Sequence, residues 1–193
     1  MNLKTHIKTV LAALVTTSSL AWSYQDTPRS DVLVADFEGD TYGNWKVEGE
    51  AFGPGPAKGT LPGQMHVSGY KGKRLVNTFF NRDRTVGTLT SPPIKVERNY
   101  LSFLVGGGGH RGKTCMNLLL DGKTVRSVTG TNNQPGGSET LQPGVWDVKK
   151  FNGKTVTLQI VDAETGGWGH VNVDHIVQTD TKPKIPNFGN NEK

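Results

Sequence analysis

Short apolar runs punctuated by Gly, Pro, Asn and Asp recur along almost the whole chain, with glycine alone supplying 25 of 193 residues. Apolar residues spaced at helical period are scarce, whereas strand-length runs bounded by turn residues are frequent, so the chain reads as all-β. Asp31 to Phe37, Arg74 to Phe79, Thr85 to Leu89, Ile94 to Val96, Tyr100 to Val105, Cys115 to Leu120 and Thr124 to Thr129 are expected strands. Asp121-Gly122 should close a tight hairpin between the last two. Ser138 to Leu141 and Val145 to Asp147 are short pieces, and Val156 to Asp162 and His170 to Gln178 make a final pair. In that final stretch Val171, Val173 and Ile176 face a core with one break in alternation. Glu50 to Gly63, rich in Gly, Pro and Ala, should form a long irregular loop over the sheets.

Strands of this number and length imply a jelly-roll β-sandwich in a single domain. Residues 1–23 carry Lys4 and Lys8 ahead of an apolar run from Val10 to Ala21, then the small-x-small triplet Ala21-Trp22-Ser23. That is the form of an export signal, because about 12 apolar residues are too few to span a bilayer. The expected organisation is a signal peptide over 1–23, a linker over 24–30, a sandwich over 31–180 and a flexible tail over 181–193. The protein is thus expected to be secreted or periplasmic. Removing Lys4 and Lys8 reduces the formal charge from +5 to +3. Lys71, Lys73 and Arg74, and Arg82 with Arg84, read as a solvated face, so neither nucleic acid nor a membrane is an expected partner. The lone Cys115 sits in an apolar segment and is expected to be a buried thiol, the alternative being a bridge to another chain.

Candidate binding residues cluster in the second half. Trp168 lies between glycines, where its ring can expose a face for stacking on a sugar, whereas Trp45 and Trp146 have core-like contexts. The glycine run 106–109 leads into His110, either as an open floor under a sugar or as a simple bulge. Arg126 offers a fork of donors to adjacent hydroxyls, with Glu139 or Asp162 as the opposed carboxylate, unless it forms only a surface salt bridge. His170 and His175 differ by five and should point to opposite faces, which excludes a shared metal. Asp36 and Glu38, two apart, should share a strand face and meet Asp174 from the last strand as a set of hard oxygen ligands for a structural Ca²⁺; otherwise they pair with lysines or cap turns. No G-x-S-x-G, H-E-x-x-H or Cys–His signature occurs, and Asp162 with Glu164 is the best available acid–base pair, so catalysis is not expected.

The segments DFEGDTYGNWKVEGEAFGPGPAKGTLPGQ, GGGGHRGKTCMNLLLDGKTVRSVTG, WDVKKFNGKTVTLQIVD and GGWGHVNVDHI resemble the non-catalytic β-sandwich attached to levanases and other fructan hydrolases of glycoside hydrolase family 32. The resemblance, to carbohydrate-binding module family 66, spans about Val32 to Thr179. It implies a jelly-roll that recognises terminal fructose of levan-type fructans, at times with a structural calcium, and that brings a hydrolase to its substrate. The W-x-N-D-P-N-G, Arg-Asp-Pro and Glu-Cys motifs of the catalytic part do not occur in this sequence, so hydrolysis is not implied and the hydrolase would be a separate partner. Arg126, Trp168 and His170 fall inside the matching segments and Glu139 within the span of the resemblance, together with His110 and Asp162 as further expected sugar contacts. A structural or protein-interaction domain of the cell envelope is the competing expectation.

Overall fold

The computed structural model describes residues 29–184. The expected signal peptide lies outside the described residues, as do most of the expected linker and tail. Two antiparallel sheets face one another. The first has the order β1 (Val32–Ala35), β11 (Val171–Thr179), β6 (Tyr100–Gly107), β9 (Gln142–Asp147), with β3 (Val76–Asn77) also on β11. The second has the order β2 (Lys46–Gly49), β4 (Gly87–Thr90), β10 (Thr155–Asp162), β7 (Thr114–Leu120), β8 (Lys123–Thr129), with β5 (Ile94–Lys95) also on β10. One 3₁₀ turn spans Lys149–Phe151. The all-β sandwich follows from the sequence as expected. Among the described residues no helix is long and apolar enough to cross a membrane.

Alternation builds the core. In β10, Val156, Leu158 and Ile160 are buried while their neighbours are not, and in β6 Leu101, Phe103 and Val105 do the same from the facing sheet. Side chains two apart point the same way in a strand, so these two sets interdigitate. Met116, Leu118, Val171, Val173 and Ile176 complete the layer, with Phe103 and Trp146 in edge contact at 4.7 Å. Cys115 is a free, fully buried thiol.

Strand β11 is buried on nearly its whole length, which a sheet face exposed to water would not produce. The long connection between β2 and β3 folds over the outer face of the first sheet, where Val67, Leu75 and Leu141 pack with Ala57, Tyr70 and Leu104 as a second apolar cluster. The break in alternation in β11 is a bulge: its register against β6 shifts between Asp174 and Val177, and His175 has φ 49°. One inserted residue returns Ile176 to the core side. Asp121 (φ 51°) and Gly122 (φ 72°) both take the left-handed conformation that a two-residue hairpin needs.

Three expectations about local structure are corrected. Arg74 to Phe79 contributes only Val76–Asn77 as strand, Ser138 to Leu141 contributes none, and Lys46–Gly49 is a strand that was not expected. Its pattern is exposed throughout, so no buried face marks it in the sequence.

The sandwich has two distinct ends. Val32 pairs with Gln178, and the Arg29 guanidinium bonds Asp180 at 2.7 and 3.0 Å, so the two ends of the described chain meet at one pole. The loops β3–β4, β6–β7, β8–β9 and β10–β11 meet at the other pole, roughly 30 Å away along the nine residues of β11.

Candidate functional site

The loop pole holds a buried polar network centred on His170. Its Nδ1–H donates to Asp83 Oδ1 at 2.9 Å, and its Nε2–H donates to Glu139 at 2.9 and 3.1 Å. Carboxylates only accept, so both ring nitrogens carry protons and the ring is an imidazolium. Burial alone would push its pKa down, but the hydrogen bonds and charges of Asp83 and Glu139 outweigh burial and raise it to about 9. The Asn172 amide donates to Glu139 Oε2 at 2.9 Å and fixes that carboxylate from the other side. His170, Glu139 and Asn172 are each no more than 3% exposed.

Asp162, at the end of β10 in the opposite sheet, faces the same network. Burial raises its pKa to about 7, against the opposing effects of the Thr78 hydroxyl, the Glu164 N–H and the charge of His170. Its Oδ2 and the Asn172 Oδ1 are buried without a hydrogen bond from the protein.

Trp168 roofs the network. Its ring lies 5.7 Å from the His170 ring with 32° between planes, and the Phe79 ring meets His170 edge-on at 5.0 Å. Trp168 has φ 60°, and its indole N–H donates to the Gln134 carbonyl at 2.9 Å. Two glycines packed against it are required by space: a Cβ on Gly108 would lie 1.9 Å from the Trp168 carbonyl oxygen, and one on Gly137 would lie 2.7 Å from the indole ring. His110 Nε2 is 3.0 Å from the Gly167 carbonyl and ties the β6–β7 loop to the same roof.

Five of the six expected ligand contacts, His110, Glu139, Asp162, Trp168 and His170, therefore meet at one pole. Arg126 does not. It bonds the Val125 and Asp147 carbonyls at 2.9 and 3.0 Å and lies over the Phe151 ring at 5.4 Å, toward the pole of the chain ends. It sits mid-strand on β8, which reaches the loop pole only at Thr129 beside Cys115, and its guanidinium is spent on carbonyls at the other end, so the expected opposed pair is not formed. Asp162 and Glu164 are not an acid–base pair either, because Glu164 turns outward to Lys113 at 2.8 Å.

Asp83 and Phe79 were missed. Asp83 follows Asn81 and Arg82, and all three have φ between 54° and 61°. Such a run costs on the order of 1 kcal/mol or more per residue and persists only where surroundings hold it. The tolerance of Asn and Asp for this conformation was the one signal available.

The expected calcium ligands stand elsewhere. Phe37 is left-handed at φ 54°, so Asp36 and Glu38 do not share a strand face; Asp36 Oδ1 instead accepts the Glu38 N–H at 3.2 Å. Glu38 accepts the N–H groups of Lys73 and Arg74 at 2.9 to 3.1 Å. Asp174 is fully buried, accepts the Lys71 N–H at 2.7 Å and leaves Oδ1 without a partner. Burial, helped by the charges of Glu38 and Asp36, raises its pKa to about 6. Hard oxygens and an unpartnered buried carboxylate suit a cation chemically. Among the described residues, however, no three His, Cys, Asp or Glu side chains converge as a metal-binding group.

A concavity of about 580 Å³ opens between β1 and residues 91–97, away from His170. The convergence of charge, aromatic roof and unpartnered oxygens makes the loop pole the better candidate for the principal site, since volume alone carries no chemistry.

No family model matches the chain. The chain is 39% identical over 158 residues to a protein of Aspergillus rugulosus provisionally named as a glycosyl hydrolase, ecdE, a match covering 80% of this chain. It spans only 22% of that protein. Among solved structures it is similar to a family 35 carbohydrate-binding module from Clostridium thermocellum, at 16% identity and TM-score 0.42, covering 79% of this chain and 100% of that one. It is also similar to the K1 adhesin domain of Lys-gingipain from Porphyromonas gingivalis, at 13% identity and TM-score 0.45, covering 80% and 100%.

Proposed function

We propose that the loop pole binds the terminal sugar of a glycan, with levan-type fructan as the first candidate, and that the chain is a non-catalytic binding module. The observation that carries this reading is Trp168, held by its N–H bond to Gln134 with one face on the His170 imidazolium and the residue only half-buried. A ring fixed before a ligand arrives loses little entropy on stacking, and the partly exposed Asp83 carboxylate and His110 stand near it for hydroxyl groups. Glu139 and Asp162, at 3% and 1% exposure, are too enclosed to flank a glycosidic bond, which favours binding over hydrolysis. The resemblance to fructan-hydrolase modules, and a relative named as a glycosyl hydrolase of which this chain matches about a fifth, support a glycan setting.

Affinity for one sugar unit should fall roughly between micromolar and millimolar. Calorimetric titration with levan, inulin and fructose tests the reading. Trp168→Ala should weaken binding at least about tenfold, equivalent to about 1.4 kcal/mol, while circular dichroism stays that of a β-sandwich. Binding unchanged in Trp168→Ala rejects the site, and absence of heat with every fructan moves the ligand to another glycan or to a protein.

Calcium is a separate proposal for Asp174, Asp36 and Glu38. A cation there would relieve the repulsion that helps hold the Asp174 pKa up. At a hundred times its dissociation constant it would add about 2.7 kcal/mol of stability. Thermal melts in calcium and in chelator should differ by several degrees, and coincident melts exclude the ion.

A further inference from the structure

We infer that the cleft between β1 and residues 91–97 is a second saccharide site, remote from the loop pole, so that one module can hold a glycan at two places. Its volume of about 580 Å³ lies within the usual range for small-ligand sites. Its walls are fixed. One is β1, paired to β11, and the other is pinned to the same strand by buried Gln178, which donates to the Lys95 carbonyl at 3.0 Å and accepts the Glu97 N–H at 2.8 Å. Trp45 lines the cleft with Phe37 and Tyr42 behind it, the Phe37 ring meeting Trp45 edge-on at 5.3 Å and Tyr42 at 6.4 Å.

The polar groups decide the class of occupant. The Tyr42 hydroxyl is spent on the Phe52 carbonyl at 3.0 Å. The side chains of Asn44, Lys95 and Glu97, by contrast, have no partner among the described residues. Nor does any strand pair with the outer edge of β1 there, which leaves backbone donors and acceptors turned to the cleft. A purely apolar occupant would desolvate these groups without compensation. An added strand would suit the edge, but β1 has four residues and its register slips between Leu33 and Ala35, which breaks a ladder. A ring with an apolar face for Trp45 and hydroxyls for the rim meets both demands.

The test is an amide-resolved NMR titration of the protein and of its Trp168→Ala variant with levan and inulin oligosaccharides, then with xylo-, manno- and cello-oligosaccharides. In Trp168→Ala, amides of residues 32–36, 43–45 and 94–97 should still shift along one saturable curve. Asn44→Ala, or Trp45→Phe, which keeps an aromatic ring on Phe37, should weaken that curve at least about fivefold. Neither variant should alter the response around Trp168 in the parent protein. Absence of cleft shifts with every oligosaccharide, or an undiminished curve in both variants, overturns the inference. A response only to an apolar alcohol or a strand-forming peptide overturns it equally. Shifts lost around Trp168 but kept in the cleft would count against the loop-pole reading alone.

Discussion

His170→Ala is expected to cost about 3–5 kcal/mol, because it strips the counter-charge from two carboxylates held in the interior. For a domain of this size the melting midpoint should fall by roughly 6–20 °C. Glu139 is 3% exposed and would keep only the Asn172 amide, while Asp83 would lose the bond that holds its left-handed loop. Amide exchange in residues 79–86 should therefore accelerate more than exchange in β10. Denaturant unfolding with an unchanged slope gives the energy, and the double variant with Glu139→Gln should lose less than the two single losses added, since it removes one orphaned charge. A single-variant loss below about 1 kcal/mol would mean that the carboxylates are hydrated and the network is no buried ion pair.

The residues of that network show what can be read from a chain and what cannot. Alternation in β6 and β10 announces which residues meet in the core, because period two maps directly onto one face. Even the irregularity of β11 is legible, since Val171, Val173 and Ile176 cannot all face inward without an inserted residue, which His175 supplies. Trp168 and His170 stand out because glycines flank the aromatic ring; of these Gly169 is needed for a close backbone approach, a Cβ there falling 2.6 Å from the Gly166 carbonyl oxygen, whereas Gly167 has open space around it. Asp83 is different. It reaches His170 across 87 residues through a loop whose conformation is stabilised by the contact it makes. No local pattern encodes such a contact. Arg126 fails for the complementary reason: its residue type suits sugar binding, but strand β8 carries it to the carbonyls of Val125 and Asp147. Asp36 and Glu38 fail through one residue, Phe37, whose left-handed turn ends the strand between them.

The second large effect is on pH. Asp162 has a folded pKa of about 7 against an ordinary 3.8, so its stabilising contribution is complete below pH 4 and is lost as pH rises through 7. A shift of that size is worth up to about 4 kcal/mol between those limits. Asp174, at about 6, acts in the same direction over pH 4 to 6. The His170 contribution is complete below its unfolded pKa near 6.5 and is lost as pH rises through 9. All three slopes have one sign. Glu48, Glu164 and Asp180 have lowered pKa values and oppose them only below about pH 4.5, while half-buried His175, its pKa lowered by burial and the Lys71 charge, opposes them below about pH 6.5. The unfolding free energy should accordingly peak near pH 4–5 and decline steadily to pH 9 rather than plateau at neutrality. Asp162→Asn removes the carboxyl that ionises under Trp168, so its stability profile should be flatter between pH 4 and 7 while the His170 limb above pH 7 remains. A parent profile that is flat from pH 4 to 7, or an Asn variant that reproduces the parent slope, would place the titration elsewhere and leave Asp162 ionised throughout. With the expected profile, charging Asp162 adds an anion whose Oδ2 has no hydrogen bond from the protein to a network in which the single imidazolium already balances one of two carboxylates, and the Asp83 charge opposes it. The network under Trp168 is then least stable in the alkaline range, and sugar affinity measured at the loop pole should weaken along the same curve.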